Sequence, residues 1–405
     1  MAGRASVVAV ALALALSGCG GRPVVGLPKV TLERPSEGAD GGLDGSSDGA
    51  ADGAADADAS DGGDAPVEAP PPLELAASLV AKIALPGAPI TAAYNGGTQK
   101  TYVACRAAAD AGAVGPIAVV DDATNAVVKT IAPSAAVTAL TTDGATKRVY
   151  AAEGDQVEVV DSTADMILAT VKTPDGAVLA GVAADEAHDK IFAVGTKDFA
   201  TNLYVLDGAT NVMTVLRAVL LTPRGAPAIA VDGMNDVFVL GVDSNSSGLV
   251  VTFDETSGTP THISTSDSMV SASASGVVSM GDGSASILFL GPGLVKRISL
   301  GDTQLPTAFT PTGVAGGDFG RGPMPVVVGF DDHGGASGYA VDTGAFTLSP
   351  FTLAFASAFG LTVPAEVVTG APRANGVELY VFEQALPPST SSAPAEAVKI
   401  AVTAQ

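Results

Sequence analysis

Tryptophan is absent from this 405-residue sequence, and aromatic side chains of every kind make up 5% of it. A site that stacks sugar rings, or an interface built on indole anchors, has little to draw on. Basic residues are scarce as well: 20 Lys and Arg stand against 43 Asp and Glu, a net charge of −23. A chain so acidic repels phosphate backbones, which argues against nucleic acid as a partner. The histidines are His188, His262 and His333 and the cysteines are Cys19 and Cys105, none of them in a recognisable nucleophile motif. No cofactor is expected from such a set. Cys105, in the strand-like "KTYVACR" of residues 100–106, reads as a small buried hydrophobe and not as a catalytic thiol.

Long apolar runs are missing too. The longest near the start, Ala5 to Leu16 behind Arg4, is too short to span a bilayer, which takes about 20 apolar residues. A positive charge, a short apolar middle and small residues at the exit read as a secretory signal over residues 1–18. The exit, Leu16-Ser17-Gly18-Cys19, resembles the lipobox of bacterial lipoproteins. The resemblance implies cleavage before Cys19, lipidation of that residue, and anchoring to the cell envelope. Gly20 stands where an Asp would favour inner-membrane retention in Gram-negative lipoproteins, so the resemblance points to the outer membrane. Each buried lipid CH₂ contributes about 0.8 kcal/mol, so several acyl chains hold a protein stably at a membrane.

Residues 19–74 read as a disordered tether. Its centre, "EGADGGLDGSSDGAADGAADADASDGGDAPVE" over residues 37–68, has almost nothing to bury and cannot offset the entropy of ordering. Carboxylate repulsion extends it, and at 5–6 Å × √n about 50 such residues reach on the order of 40 Å. The alternating acids of "DADASD" at residues 56–61 do not make an EF-hand. The sixth position holds Asp61 where glycine is needed, and the twelfth holds Val67 where glutamate is needed.

Residues 75–405 are built on a repeat. "IAVVDDATNAVVKTI" (117–131), "VEVVDSTADMILATV" (157–171), "LYVLDGATNVMTVL" (203–216), "LVVTFDETSGTPTHI" (249–263) and "GYAVDTGAFTLSPF" (338–351) each join two alternating strands through a turn opened by Asp. A second strand pair precedes each, so the unit is four strands. Asp121, Asp161, Asp207 and Asp254 recur 40, 46 and 47 residues apart, the period of a propeller blade. The pattern resembles the YVTN family of β-propeller repeats, most closely over 143–171, "DGATKRVYAAEGDQVEVVDSTADMILATV". Asp121, Asp161, Asp207, Asp254 and Asp342 are expected to be turn formers, because a residue that recurs in every unit serves the repeat.

Units are expected to end near Ile131, Val171, Arg217, Ser264, Thr310 and Phe351, followed by three further strands. "SLVAKIALPGAP" (78–89) supplies the missing fourth from the other end of the domain. The fold expected is therefore an all-β, seven-bladed propeller closed by an N-terminal strand. The first strands of the units, "ITAAY", "VTALT", "AGVAA" and their successors, would line the centre with small apolar residues and no acidic ring. The one site-like stretch is "GFDDHGGASG" (329–338), where Asp331, Asp332 and His333 could hold a metal. Two functions follow as expectations. The first is a lipid-anchored, monomeric scaffold that binds a protein or envelope ligand without catalysis. The alternative is a metal-dependent propeller hydrolase, lyase or lactonase.

Overall fold

In the computed structural model, residues 73–106, 114–198 and 200–219 are described without a break but for position 199. Beyond 219 the described residues are those of the strands, the turn residues 256–259, and positions 375 and 405. The chain divides into units 1–65 and 66–405, and every described residue belongs to the second. Cys19 and the acidic segment lie outside the described residues.

The described residues form strands and no helix. The first strand, β1 (Leu75–Ala84), pairs with the end of the chain, as set out below. Five four-stranded antiparallel meanders follow. The first holds β2 (Pro89–Asn95), β3 (Lys100–Cys105), β4 (Ile117–Asp121) and β5 (Ala126–Ile131). The second holds β6 (Val137–Asp143), β7 (Arg148–Glu153), β8 (Gln156–Asp161) and β9 (Met166–Lys172). The third holds β10 (Val178–Asp185), β11 (Lys190–Lys197), β12 (Ala200–Asp207) and β13 (Val212–Val219). The fourth holds β14 (Ala228–Val231), β15 (Asp236–Val242), β16 (Gly248–Asp254) and β17 (Pro260–Ser266). The fifth holds β18 (Gly276–Ser279), β19 (Ile287–Gly291), β20 (Leu294–Ile298) and β21 (Thr303–Pro306).

The remaining strands share one eight-stranded sheet. It contains β22 (Thr310–Asp318), β23 (Pro323–Phe330), β24 (Ala336–Asp342) and β25 (Thr347–Leu353), then β26 (Val367–Arg373), β27 (Gly376–Phe382) and β28 (Glu396–Ala404), with β1 beyond β28. A single residue pair, Asp318 with Gly376, joins the two halves. The pairing of β1 with β28 runs from Leu75 opposite Ala404 to Ala84 opposite Glu396. The last quartet therefore takes its fourth strand from the start of the domain.

Burial follows position within the first three quartets. The middle strands are covered on both faces: in β7 and β8 almost every residue is buried. Their near-continuous apolar runs fit that, since a strand covered on both sides gains from Val and Ala at every position. The outermost strands β5 and β9 are largely exposed. Apolar side chains interleave from one sheet to the next. Tyr102, Ile117 and Val119 of the first sheet meet Val149, Ala151 and Val160 of the second. Val157 and Val159 of the second meet Ile191 and Tyr204 of the third. Val103 and Val120 of the first meet Ile83 of β1 with Tyr380 and Ala397 of the last quartet. First strands adjoin from sheet to sheet: β2 with β6, β6 with β10, β10 with β14, β14 with β18, and β26 with both β22 and β2.

The expected unit ends fall within two residues of the observed ones except in the fifth sheet. There β21 ends at Pro306, and Thr310 opens β22. That unit has no strand-ending Asp to mark its last turn, so its boundary carried the weakest signal.

Candidate functional site

In each meander the turn between the first and second strands, and that between the third and fourth, lie at one end of the sheet. The turn between the middle strands and the chain entering from the previous sheet lie at the other. The first end is occupied by repeat machinery. Asp121 Oδ1 accepts from the Thr124 amide and hydroxyl, both at 2.8 Å. Asp161 Oδ1 accepts from the Thr163 and Ala164 amides at 2.7 and 3.2 Å. Asp207 serves Thr210, and Asp254 serves Ser257, in the same way. Hydrogen bonds from these turn residues hold all four carboxyls below the ordinary range. The turns close through a left-handed residue at Asn125, Asp165, Asn211 and Gly258, residue types that tolerate positive φ. Asp342 ends β24 opposite Thr347.

The Asp121, Asp161 and Asp207 turns also receive side chains from a neighbouring sheet. Tyr102 donates to Asp165 Oδ1 at 2.6 Å and to the Ser162 carbonyl at 3.2 Å, with Lys100 beside it on Asp165 Oδ2 at 2.8 Å. Arg148 reaches the Gly208 carbonyl. The last quartet treats the first sheet likewise. Tyr380 donates to Asp122 Oδ1, Arg373 pairs with Asp122 Oδ2, and Lys399 lies 2.7 Å from Oδ1 and 2.9 Å from Asn125 Oδ1. Burial alone would raise the Asp122 carboxyl. Hydrogen bonds from Lys399, Tyr380 and Arg373, with the Lys399 charge, outweigh it and hold the group below its ordinary value.

At the opposite end, the second sheet carries an unusual group. Glu153 closes β7 and Glu158 lies in β8, 0% and 1% exposed. Both hold the connection between β5 and β6. Glu153 Oε2 accepts from the Ala135 amide at 3.0 Å and the Ser134 hydroxyl at 3.2 Å. Glu158 Oε1 accepts from the Ser134 amide at 3.1 Å and its hydroxyl at 2.6 Å. Gln156 donates to that hydroxyl. Glu153 Oε1 and Glu158 Oε2 are buried and have no donor. Burial first, and then the adjoining Glu158, push the Glu153 carboxyl up to about 7. Glu153 can therefore keep a proton near neutral pH, and both carboxyls are buried.

Other chemistry is sparse among the described residues. Cys105 is buried, and burial pushes its thiol up to about 12, so it is not a nucleophile at neutral pH. His188 Nδ1 lies 2.6 Å from Asp185 Oδ2 at the repeat-turn end of the third sheet. Among the described residues no three His, Cys, Asp or Glu side chains gather as a metal site. The sequence-derived candidates Asp331, Asp332 and His333 fall in the β23–β24 connection, outside the described residues.

Sequence reasoning passed over Glu153, Glu158, Asp122 and Lys399. In alternating strands an isolated acid or lysine reads as solvent-facing, and only the stacking of neighbouring sheets buries these. One signal was present for the glutamates: counted from the strand-ending Asp, Glu158 stands where the first and third units have Ala118 and Tyr204.

No protein-family model and no curated protein matches the sequence. Solved structures do resemble the fold. Hydrazine synthase from Kuenenia stuttgartiensis superposes with a TM-score of 0.51 at 14% identity, over 73% of this chain and 92% of that one. Raptor from Chaetomium thermophilum superposes with a TM-score of 0.57 at 10% identity, over 82% of this chain but only 29% of that one. At these identities the likeness is one of fold alone, and that fold is of the β-propeller type.

Proposed function

We propose that the protein is a seven-bladed β-propeller, closed by its N-terminal strand, that serves the cell envelope as a lipid-anchored binding scaffold. The pairing of β1 with β28 carries the reading, supported by the reach of Tyr380 and Lys399 across to the Asp122 turn. A ring fastened in this way is rigid and leaves no quartet short of a strand. The end that carries the β5–β6 and β9–β10 connections is built differently in the second and third sheets, with a glutamate pair in one and Tyr204 on Asp175 in the other, as a recognition face would be, while the opposite end repeats its turn chemistry. The lipobox-like sequence at Cys19 and the acidic tether support a scaffold held at a membrane on a flexible leash. The partner is a protein or another envelope component, and the protein acts as a monomer without catalysis of its own.

Two measurements test this. Cross-linked capture with the membrane-anchored full chain should return a specific partner, and failure under every condition would contradict the scaffold reading. Cys19→Ala should move the protein from the membrane fraction to the soluble one. Retention in the membrane would contradict the anchor.

A further inference from the structure

The second sheet buries two acids where its neighbours manage without them. Counted from the aromatic residue of the second strand, Glu153 stands where the first and third sheets have Cys105 and Gly195. The third sheet holds its incoming connection with a neutral hydroxyl: Tyr204 donates to both Asp175 oxygens at 3.0 Å, aided by Asn202 at 2.8 Å. The fold therefore does not require a carboxyl at either position. Burying two acids side by side is costly unless they are paired, and no described cation pairs with either one.

The geometry shows what closes the cluster. One oxygen of each glutamate is taken by the Ser134–Ala135 backbone and the Ser134 hydroxyl. The other oxygens, Glu153 Oε1 and Glu158 Oε2, are buried without a donor, and the two carboxyls are within hydrogen-bonding reach of each other. A single proton supplies the missing donor. When it leaves, two adjacent negative charges must share a space without water. We propose that the Glu153–Glu158 pair is a proton-operated clamp on the β5–β6 connection, closed while the pair shares one proton and loosened when that proton is lost. The clamp rests on the reading of this end of the sheets as the recognition face, and it would make that face sensitive to pH.

The titration falls in a useful place, since burial and Glu158 bring Glu153 to about 7. The other ionisable groups on the surrounding elements are Asp155 in the β7–β8 turn, Lys172 opposite Gln156 on β9, Asp175 in the β9–β10 connection with Lys197 on its carbonyl, and Cys105 and Arg106 at the end of β3. Because the folded value lies above the ordinary 4.5, the native state keeps a proton that the unfolded chain gives up. The contribution to stability is therefore complete below about 4.5, falls as pH rises, and is gone above about 7.

Hydrogen exchange on the full chain tests the clamp directly. Protection of the Ser134 and Ala135 amides, corrected for the intrinsic rate, should fall at least about tenfold on passing from the acidic to the alkaline side of neutrality. In Glu153→Gln the amide can donate to Glu158 at every pH, so protection should stay constant. Unchanged protection in the wild type, or an equal fall in Glu153→Gln, would overturn the proposal. An independent reading comes from the infrared spectrum of the unmodified protein at neutral pH. A protonated carboxyl band that Glu158→Gln shifts supports the clamp, and its absence overturns it. Neither readout depends on a partner, so failed capture would sink the scaffold reading while leaving the clamp standing.

Discussion

Tyr102 shows how single side chains tie one sheet to the next. Its ring fills the space between the first and second sheets, and its hydroxyl satisfies Asp165, a carboxylate only 8% exposed in the following quartet. Tyr102→Phe keeps the ring and removes the donor to a charged acceptor. Lys100 still holds the other oxygen, so the expected loss is about 1.5 kcal/mol, measured by denaturant unfolding. Asp161→Ala removes the acceptor for two turn amides on an exposed turn and should cost about 1 kcal/mol. An equal loss from both would contradict the view that ties between sheets outweigh turn chemistry. The sequence made the second residue obvious and the first obscure. Asp161 acts within three residues of itself, whereas Tyr102 acts on a partner 63 residues away. Periodicity reports local chemistry and is silent on contacts between repeats.

Among the structural elements, the last quartet carries the heaviest demand, because its strands come from both ends of the domain. Lys399 of β28 is 2% exposed and contacts Asp122 and Asn125, more than 270 residues earlier. Lys399→Ala leaves Asp122 buried with Arg373 and Tyr380 alone. The expected cost lies at the lower end of the ~3–5 kcal/mol typical of a broken buried pair. The Asp122 carboxyl is held below its ordinary 3.8, so the contribution of this junction is present above that pH and is lost as pH falls below it. Acid unfolding of Lys399→Ala should therefore depend less steeply on pH than that of the wild type. A parallel pH dependence in the two proteins would show that the junction does not couple these elements. The strands themselves were legible from alternation and turn residues, down to the spare strand at 78–89 that became β1. The ion-pair network was not, since "AVKIAVTA" at 397–404 reads as an ordinary amphipathic strand until the first sheet covers its lysine.

For the molecule as a whole, quartets that cannot shield their own faces stack in sequence, and the N-terminal strand pairs with the last of them; that this closes a ring is the proposal to be tested. The repeat announced the stacking, and the missing fourth strand announced the fastening. The buried glutamates came only from the assembled sheets, because burial there is a property of neighbours and not of local pattern. A cysteine pair tests closure most directly. Ala77 and Val402 are opposite one another in β1 and β28, a separation that suits a disulfide. Cys105 is buried and should not interfere. In a Cys19→Ser background, Ala77→Cys with Val402→Cys should oxidise to one intramolecular disulfide and raise the unfolding free energy by up to about 6 kcal/mol, the chain-entropy value for so long a loop. Two free thiols after oxidation, or disulfide-linked dimers in place of a cross-linked monomer, would show that β1 does not close its own ring.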